Sequence, residues 1–137
     1  MKYFTMAEMT NSETAKKRGI KNEPNPTQRA NIETLVNELL DKVRERWGKP
    51  LRVTSGFRCD KLNTAVGGVK KSHHTLGCAA DIVAGTPKDN RSLYDMIVAS
   101  GLKYTQLIGE KSSSTGCQWV HISYVRDNLK CQHWLDR

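Results

Sequence analysis

The longest patterned stretch of the chain follows Thr27. Ile32, Leu35, Val36, Leu39, Leu40, Val43 and Trp47 recur at steps of three and four, which puts them on one face of a helix. Thr27 reads as its N-cap, and Gly48 with Pro50 stops it. The stripe has the spacing of a core face, and Lys42, Arg44, Glu45 and Arg46 fall on the solvated side. Upstream, Phe4 to Gly19 predicts a short helix closed by Gly19, and Asn22-Glu23-Pro24-Asn25-Pro26 a rigid, turn-rich connector. Downstream the period changes. Leu51-Arg52-Val53-Thr54 reads as a short strand ended by Ser55-Gly56, and Cys59 to Val66 as a helical turn before Gly67-Gly68. Ala79 to Ala84 reads as a buried strand. Thr86-Pro87 opens a helix with proline at its first position; Leu93, Met96 and Ile97 face the core and Gly101 caps it. Tyr104 to Ile108 and Gln118 to Tyr124 are two further strands. Helices first, then strands interrupted by helices, predict an α+β fold: a small, mostly antiparallel sheet with helices packed on one side.

At 137 residues the chain has room for one core. Residues 1–137 are therefore read as a single domain, with residues 1–26 packed on it as an N-terminal helix and connector. Hydrophobic residues at 37% and charged residues at 26% exclude a disordered chain. No apolar run approaches the roughly 18–20 residues of a membrane span. The opening Met1 to Glu8 lacks the apolar stretch of a secretory signal, so no export address is expected. The net charge of +8, from 22 basic and 14 acidic residues, points to an anionic partner: nucleic acid, a cell envelope or a membrane surface. The basic residues are dispersed and aromatics make up only 7%. That argues against the basic, aromatic-interleaved stripe of a nucleic-acid binder. Cys59, Cys78, Cys117 and Cys131 stand too far apart for a Cys-x-x-Cys knuckle and are expected as reduced thiols, Cys78 as a packed one. Trp134 in the C-terminal tail is expected to dock onto the core, and His133 to stay off any metal.

The stretch that carries chemistry is Ser72-His73-His74-Thr75-Leu76-Gly77-Cys78-Ala79-Ala80-Asp81-Ile82. Two histidines and a glycine turn lead into an aspartate on a strand expected to be buried. An isolated buried carboxylate is costly, so Asp81 needs a partner. In Trp119-Val120-His121-Ile122-Ser123 alternation puts Trp119, His121 and Ser123 on one face. His121 opposite a buried Asp gives either an ordinary polar pair or, with a second histidine, a metal site. Two histidines and one carboxylate with an open position suit catalytic zinc.

Read together, Ser55-Gly56-Phe57-Arg58, Asn63, Gly67-Gly68, Ser72-x-His74, Gly77-x-Ala79-x-Asp81 and Trp119-Val120-His121-Ile122-Ser123 resemble the zinc D-Ala-D-Ala carboxypeptidase family. Relatives include D-Ala-D-Ala dipeptidases, L-alanyl-D-glutamate endolysins and the hedgehog domain. Phe4, Ser12-x-Thr14-Ala15, Asn22-x-Pro24 and Gln106-Leu107-Ile108-x-Glu110 are similar to its small single-domain phage and bacterial branch, so the resemblance covers nearly the whole chain. It implies one zinc per chain on the sheet, held by His74, Asp81 and His121, with His73 a neighbour. It implies that Arg58 binds a substrate carbonyl or carboxylate and steadies the oxyanion, and that Ser72 orients substrate or a ligand. Many members carry an acid three residues before the last histidine; Gln118 stands there, and an amide orients water but takes no proton. Glu110 is the favoured replacement, although Thr105 replaces an aspartate common in that branch.

The implied activity is zinc-dependent hydrolysis of peptidoglycan stem or cross-bridge peptides, by a carboxypeptidase, endopeptidase or L-alanyl-D-glutamate peptidase. The expected protein is monomeric, with no specific nucleic-acid partner. It stays in the cytoplasm until release, or travels with a phage or prophage, and acts on the cell wall. The competing expectation, carried by Gln118, is a catalytically weak or inactive zinc-stabilised wall-binding module.

Overall fold

The computed structural model describes residues 1–137. Capping chemistry shapes its N-terminal third. Thr5 accepts from the Glu8 N–H at the head of α1 (Met6–Thr10), and Ser12 accepts from the Ala15 N–H at the head of α2 (Glu13–Arg18). The single helix expected before Gly19 is thus two, because Ser12 starts a second one where the first could have continued. Gly19 closes α2 in the left-handed region. The long helix begins earlier than Thr27 suggests. Asn25 is the N-cap of α3 (Pro26–Leu35), in a reciprocal pair with Gln28 and with Pro26 in the first turn. α3 runs through one widened π turn, Val36–Leu40, into α4 (Asp41–Trp47). Across that turn Ile32, Leu35, Val36, Leu39, Leu40 and Val43 are all fully buried, and Gly48 ends the helix in the left-handed region.

The remaining elements are β1 (Arg52–Ser55), α5 (Asp60–Ala65), α6 (His73–Leu76), β2 (Ala79–Val83), α7 (Pro87–Ala99), β3 (Gln106–Glu110), β4 (Trp119–Ser123) and β5 (Gln132–Leu135). They form the expected small α+β fold, with a five-stranded sheet in the order β1-β2-β4-β3-β5. All pairings are antiparallel except β3 with β5. β3 starts two residues later than the pattern suggests, because Tyr104 is drawn into the core and the Thr105 N–H bonds the Ser123 carbonyl just ahead of the ladder. α6 and β5 were not expected; both are four residues long and depend on what they pack against.

One sheet face, with Ala80, Ile82, Leu107, Val120 and Ile122, joins Leu93, Tyr94 and Ile97 of α7 and the stripe of the long helix in a single core. Asn90 of α7 is buried and ties the sheet together. Its Oδ1 accepts from the Ala84 N–H at 2.7 Å, and its Nδ2 donates to the Cys117 and Gln118 carbonyls at 3.0 and 3.1 Å. The other face carries a row across the strands, in register: Ser55, Asp81, His121, Ile108 and Trp134.

Candidate metal centre

Asp81 and His121 are placed by that register: they are direct partners on β2 and β4. His74 arrives from the one-turn helix α6. Ser72 caps it, its Oγ accepting from the His74 N–H at 3.1 Å, and Gly77 closes it with φ +79°. The long helix clamps the loop from outside: Gln28 Nε2 donates to the Thr75 carbonyl and Asn31 Nδ2 to the Leu76 carbonyl.

The three side chains converge on one oxygen. Asp81 Oδ1 lies 2.9 Å from His121 Nδ1 and 3.3 Å from His74 Nε2, and the imidazole centroids are 5.1 Å apart. On the far side of its ring, His74 Nδ1 lies 2.7 Å from the Gly56 carbonyl oxygen, which accepts only an N–H. That fixes the tautomer and turns the Nε2 lone pair toward the cluster, the usual outer support of a metal-ligating histidine. His74 Nε2 is buried and has no hydrogen-bond partner; its 3.3 Å approach to Asp81 lacks hydrogen-bond geometry. A lone pair buried against a carboxylate oxygen is accounted for by a cation between them. Zinc ligands at about 2.0–2.1 Å in tetrahedral array stand roughly 3.3 Å apart, close to the separations seen here. The donor set of two imidazoles and one carboxylate fits zinc. No other group of three or more His, Cys, Asp or Glu side chains converges this way. Burial pushes Asp81 up, but the hydrogen bond from His121 Nδ1 and the imidazole of His74 close beside it outweigh that, so the carboxyl sits well below the usual range and is held ionised.

Arg58 reaches the same carboxylate from the β1–α5 connection. Its Nη2 is 3.7 Å from Asp81 Oδ2, its Nε donates to Ser55 Oγ at 3.0 Å and its Nη1 to Asn63 Oδ1 at 3.0 Å. Asn63 in turn donates to the Val69 carbonyl, so the guanidinium is held on both flanks. Desolvation lowers its pKa, against the opposing charge of Asp81. Arg58, Ser72, His73, His74, Asp81, Glu110 and His121 all line one open cleft of about 600 Å³. Val66, Gly67, Gly68, Val69 and Lys71 border it on the α5–α6 loop, and Gln106, Ile108 and Trp119 on the sheet.

Glu110 ends β3 opposite Trp119. Its carboxyl lies above the ordinary value: burial raises it, the charge of His121 works against that, and Asp136 and Asp81 add to the rise. Gln118 is not brought to the cleft. Its side chain is exposed and its backbone is committed, the N–H to the Glu110 carbonyl and the carbonyl to Asn90. His73 lines the cleft without joining the ligand cluster, its pKa lowered by burial and by the charges of His121 and His74. Cys78 is a buried thiol, pushed up by burial. His133 faces away from the cluster, 3.3 Å from the Tyr104 hydroxyl. Trp134 does not dock onto the core; it is 41% exposed on β5, on the site face of the sheet. The sequence reading did not identify the Gly56 carbonyl as the support of His74. Nor did it place Gln106, Ile108 or Trp119 in the cleft, although the alternation with His121 marked the face of Trp119.

A buried His–Asp–His cluster at the base of an open cleft, flanked by a tethered arginine and a desolvated carboxylate, defines a metal-dependent hydrolase type of site on an α+β sheet. The sequence agrees: residues 2–123 match the family Peptidase M15, and the chain belongs to that family of zinc D-Ala-D-Ala carboxypeptidase-like proteins. No curated protein matches the sequence. Family membership supports a zinc peptidase with a peptide substrate. No helix is long and apolar enough to cross a membrane.

Proposed function

We propose that the protein is a zinc peptidase that hydrolyses amide bonds in the peptides of peptidoglycan. The single observation that carries the reading is the convergence of Glu110 and Arg58 on the cleft that holds the His74–Asp81–His121 cluster. His74, Asp81 and His121 would hold the zinc. When bound, zinc acidifies water and polarises a carbonyl. Glu110, kept partly desolvated, takes the proton of the attacking water and hands it to the leaving amine as the C–N bond breaks and the new C–O bond forms. Arg58 presents Nη2, which has only a long contact to Asp81, to the carbonyl oxygen as negative charge grows there. Ser72 holds the His74 loop in place, its Oγ accepting from the His74 N–H, and its hydroxyl proton is free to donate to substrate in the cleft.

The inactive binding-module reading rested on the amide of Gln118. Glu110 supplies a carboxylate in the cleft, which favours the catalytic reading. The test is release of new amino groups from purified peptidoglycan, with and without a chelator. Chelator-sensitive release supports the peptidase; wall binding without release, across several wall types, returns the assignment to the binding module.

A further inference from the structure

The family match ends at residue 123, yet the chain goes on to add an edge strand to the sheet. β5 pairs in parallel with β3, Gln132 against Gln106 and Trp134 against Ile108. Its alternate residues face the core side. His133 packs edge-on to Tyr94 of α7, ring centroids 6.4 Å apart, and Leu135 covers Gly109 so closely that an added Cβ there would stand 2.6 Å from Leu135 Cδ2. Gln132 and Trp134 therefore face the same side as His121 and Asp81. Exposed large hydrophobic side chains collect around this face. Val66 (45% exposed) and Val69 (75%) line one bank of the cleft and Trp134 stands beyond the other, next to Ile108 in the cleft wall. The register row His121, Ile108, Trp134 thus leads from the ligand cluster across the cleft wall of β3 to the neighbouring indole. At one end of this extension lie two neutral amides, Gln106 and Gln132. At the other lie the acids Glu110 and Asp136.

We propose that Trp134, with Gln106 and Gln132, forms a subsite for a sugar ring of the glycan strand to which the substrate peptide is attached. This deepens, and rests on, the peptidoglycan reading above. An exposed indole offers a flat apolar surface to the C–H face of a pyranose ring. Two carboxamides supply both donors and acceptors for hydroxyl and acetamido groups. β5 is two strands from β4, about 10 Å at the usual strand spacing, which an extended chain crosses in roughly three residues. The bond cleaved is accordingly one of those nearest the sugar.

The test compares kcat/KM for a stem peptide carrying its disaccharide with kcat/KM for the same peptide without sugar, in wild type, Trp134→Ala and Gln132→Ala. A companion titration follows tryptophan fluorescence with N-acetylglucosamine oligomers, which needs no turnover. The wild type is expected to favour the sugar-bearing substrate by roughly 2- to 12-fold, the scale of one good aromatic contact. In Trp134→Ala that ratio should fall toward one and the oligomer-induced fluorescence change should vanish; Gln132→Ala should give an intermediate ratio. Equal wild-type kcat/KM for the two substrates, or an unaltered ratio in Trp134→Ala, overturns the subsite and leaves the peptidase standing. A Trp134-dependent fluorescence response with no hydrolysis of either substrate keeps the subsite and removes the peptidase.

Discussion

Gly77→Ala isolates how the histidine loop is built. Gly77 closes α6 at φ +79°, and a Cβ placed there would stand 2.6 Å from the Gln28 carbonyl oxygen and 3.0 Å from Ile32 Cγ1. Gln28 belongs to α3, whose backbone cannot yield cheaply. Gly19 and Gly48 are also left-handed helix caps, at φ +65° and +75°, with nothing within 4 Å of an added Cβ. Gly19→Ala and Gly48→Ala therefore report the dihedral cost alone, about 1–2 kcal/mol. Gly77→Ala adds overpacking, typically about 1–3 kcal/mol, for a total of roughly 2–5 kcal/mol. At roughly 3–4 °C per kcal/mol for a domain of this size, the controls should lose about 3–8 °C and Gly77→Ala about 6–20 °C. Thermal unfolding of the metal-free proteins reads this directly. The loop can escape the clash only by moving α6 away from α3, and His74 moves with it. Gly77→Ala should thus also weaken zinc binding, about 10- to 100-fold as for loss of a ligand's outer support, while the controls should not. If Gly77→Ala costs no more than the two controls and leaves zinc affinity intact, α6 is not held against α3 as described.

Glu110→Gln should retain zinc and lower hydrolysis by roughly 10²–10⁴, the usual worth of a positioned proton-transfer group; unchanged turnover removes Glu110 from catalysis. Because burial raises the Glu110 carboxyl above 4.5, the active, ionised form is lost as pH falls. kcat/KM should fall on the acid side as Glu110 is protonated, and Glu110→Gln should abolish that limb; an acid limb unchanged in the variant contradicts the assignment. Asn90→Ala removes three hydrogen bonds that join the end of β2, α7 and the approach to β4. At about 1 kcal/mol each, it should cost roughly 2–4 kcal/mol in denaturant unfolding, and a loss under about 0.5 kcal/mol would show that water replaces the amide.

The sequence showed most where spacing and chemistry coincide. The apolar steps from Ile32 to Val43 required a core helix, and the π turn changes its pitch without moving the stripe off the core. The start was misplaced because Asn25-Pro26 looks like the end of a turn; only the Asn25–Gln28 reciprocal bonds reveal a cap. Asp81 and His121 were readable because strand alternation forces them onto a face, and the register then makes them partners. The motif singled out Arg58, but its tether to Asn63 is a tertiary contact that no local pattern encodes. Residues 132–135 lack alternation, since His133 and Trp134 are both partly apolar, and they become a strand only because β3 offers a free edge. That hidden pairing is why Trp134 was expected in the core and instead stands on the site face.

The central claim is that His74, Asp81 and His121 hold the metal. Its most direct test is the zinc content per chain of purified wild type and His121→Ala, each refolded with and without zinc and checked for native unfolding behaviour. The account predicts one tightly held zinc in the wild type and almost none in the folded variant. Stoichiometric zinc in folded His121→Ala, or a wild type that takes up none, would contradict it.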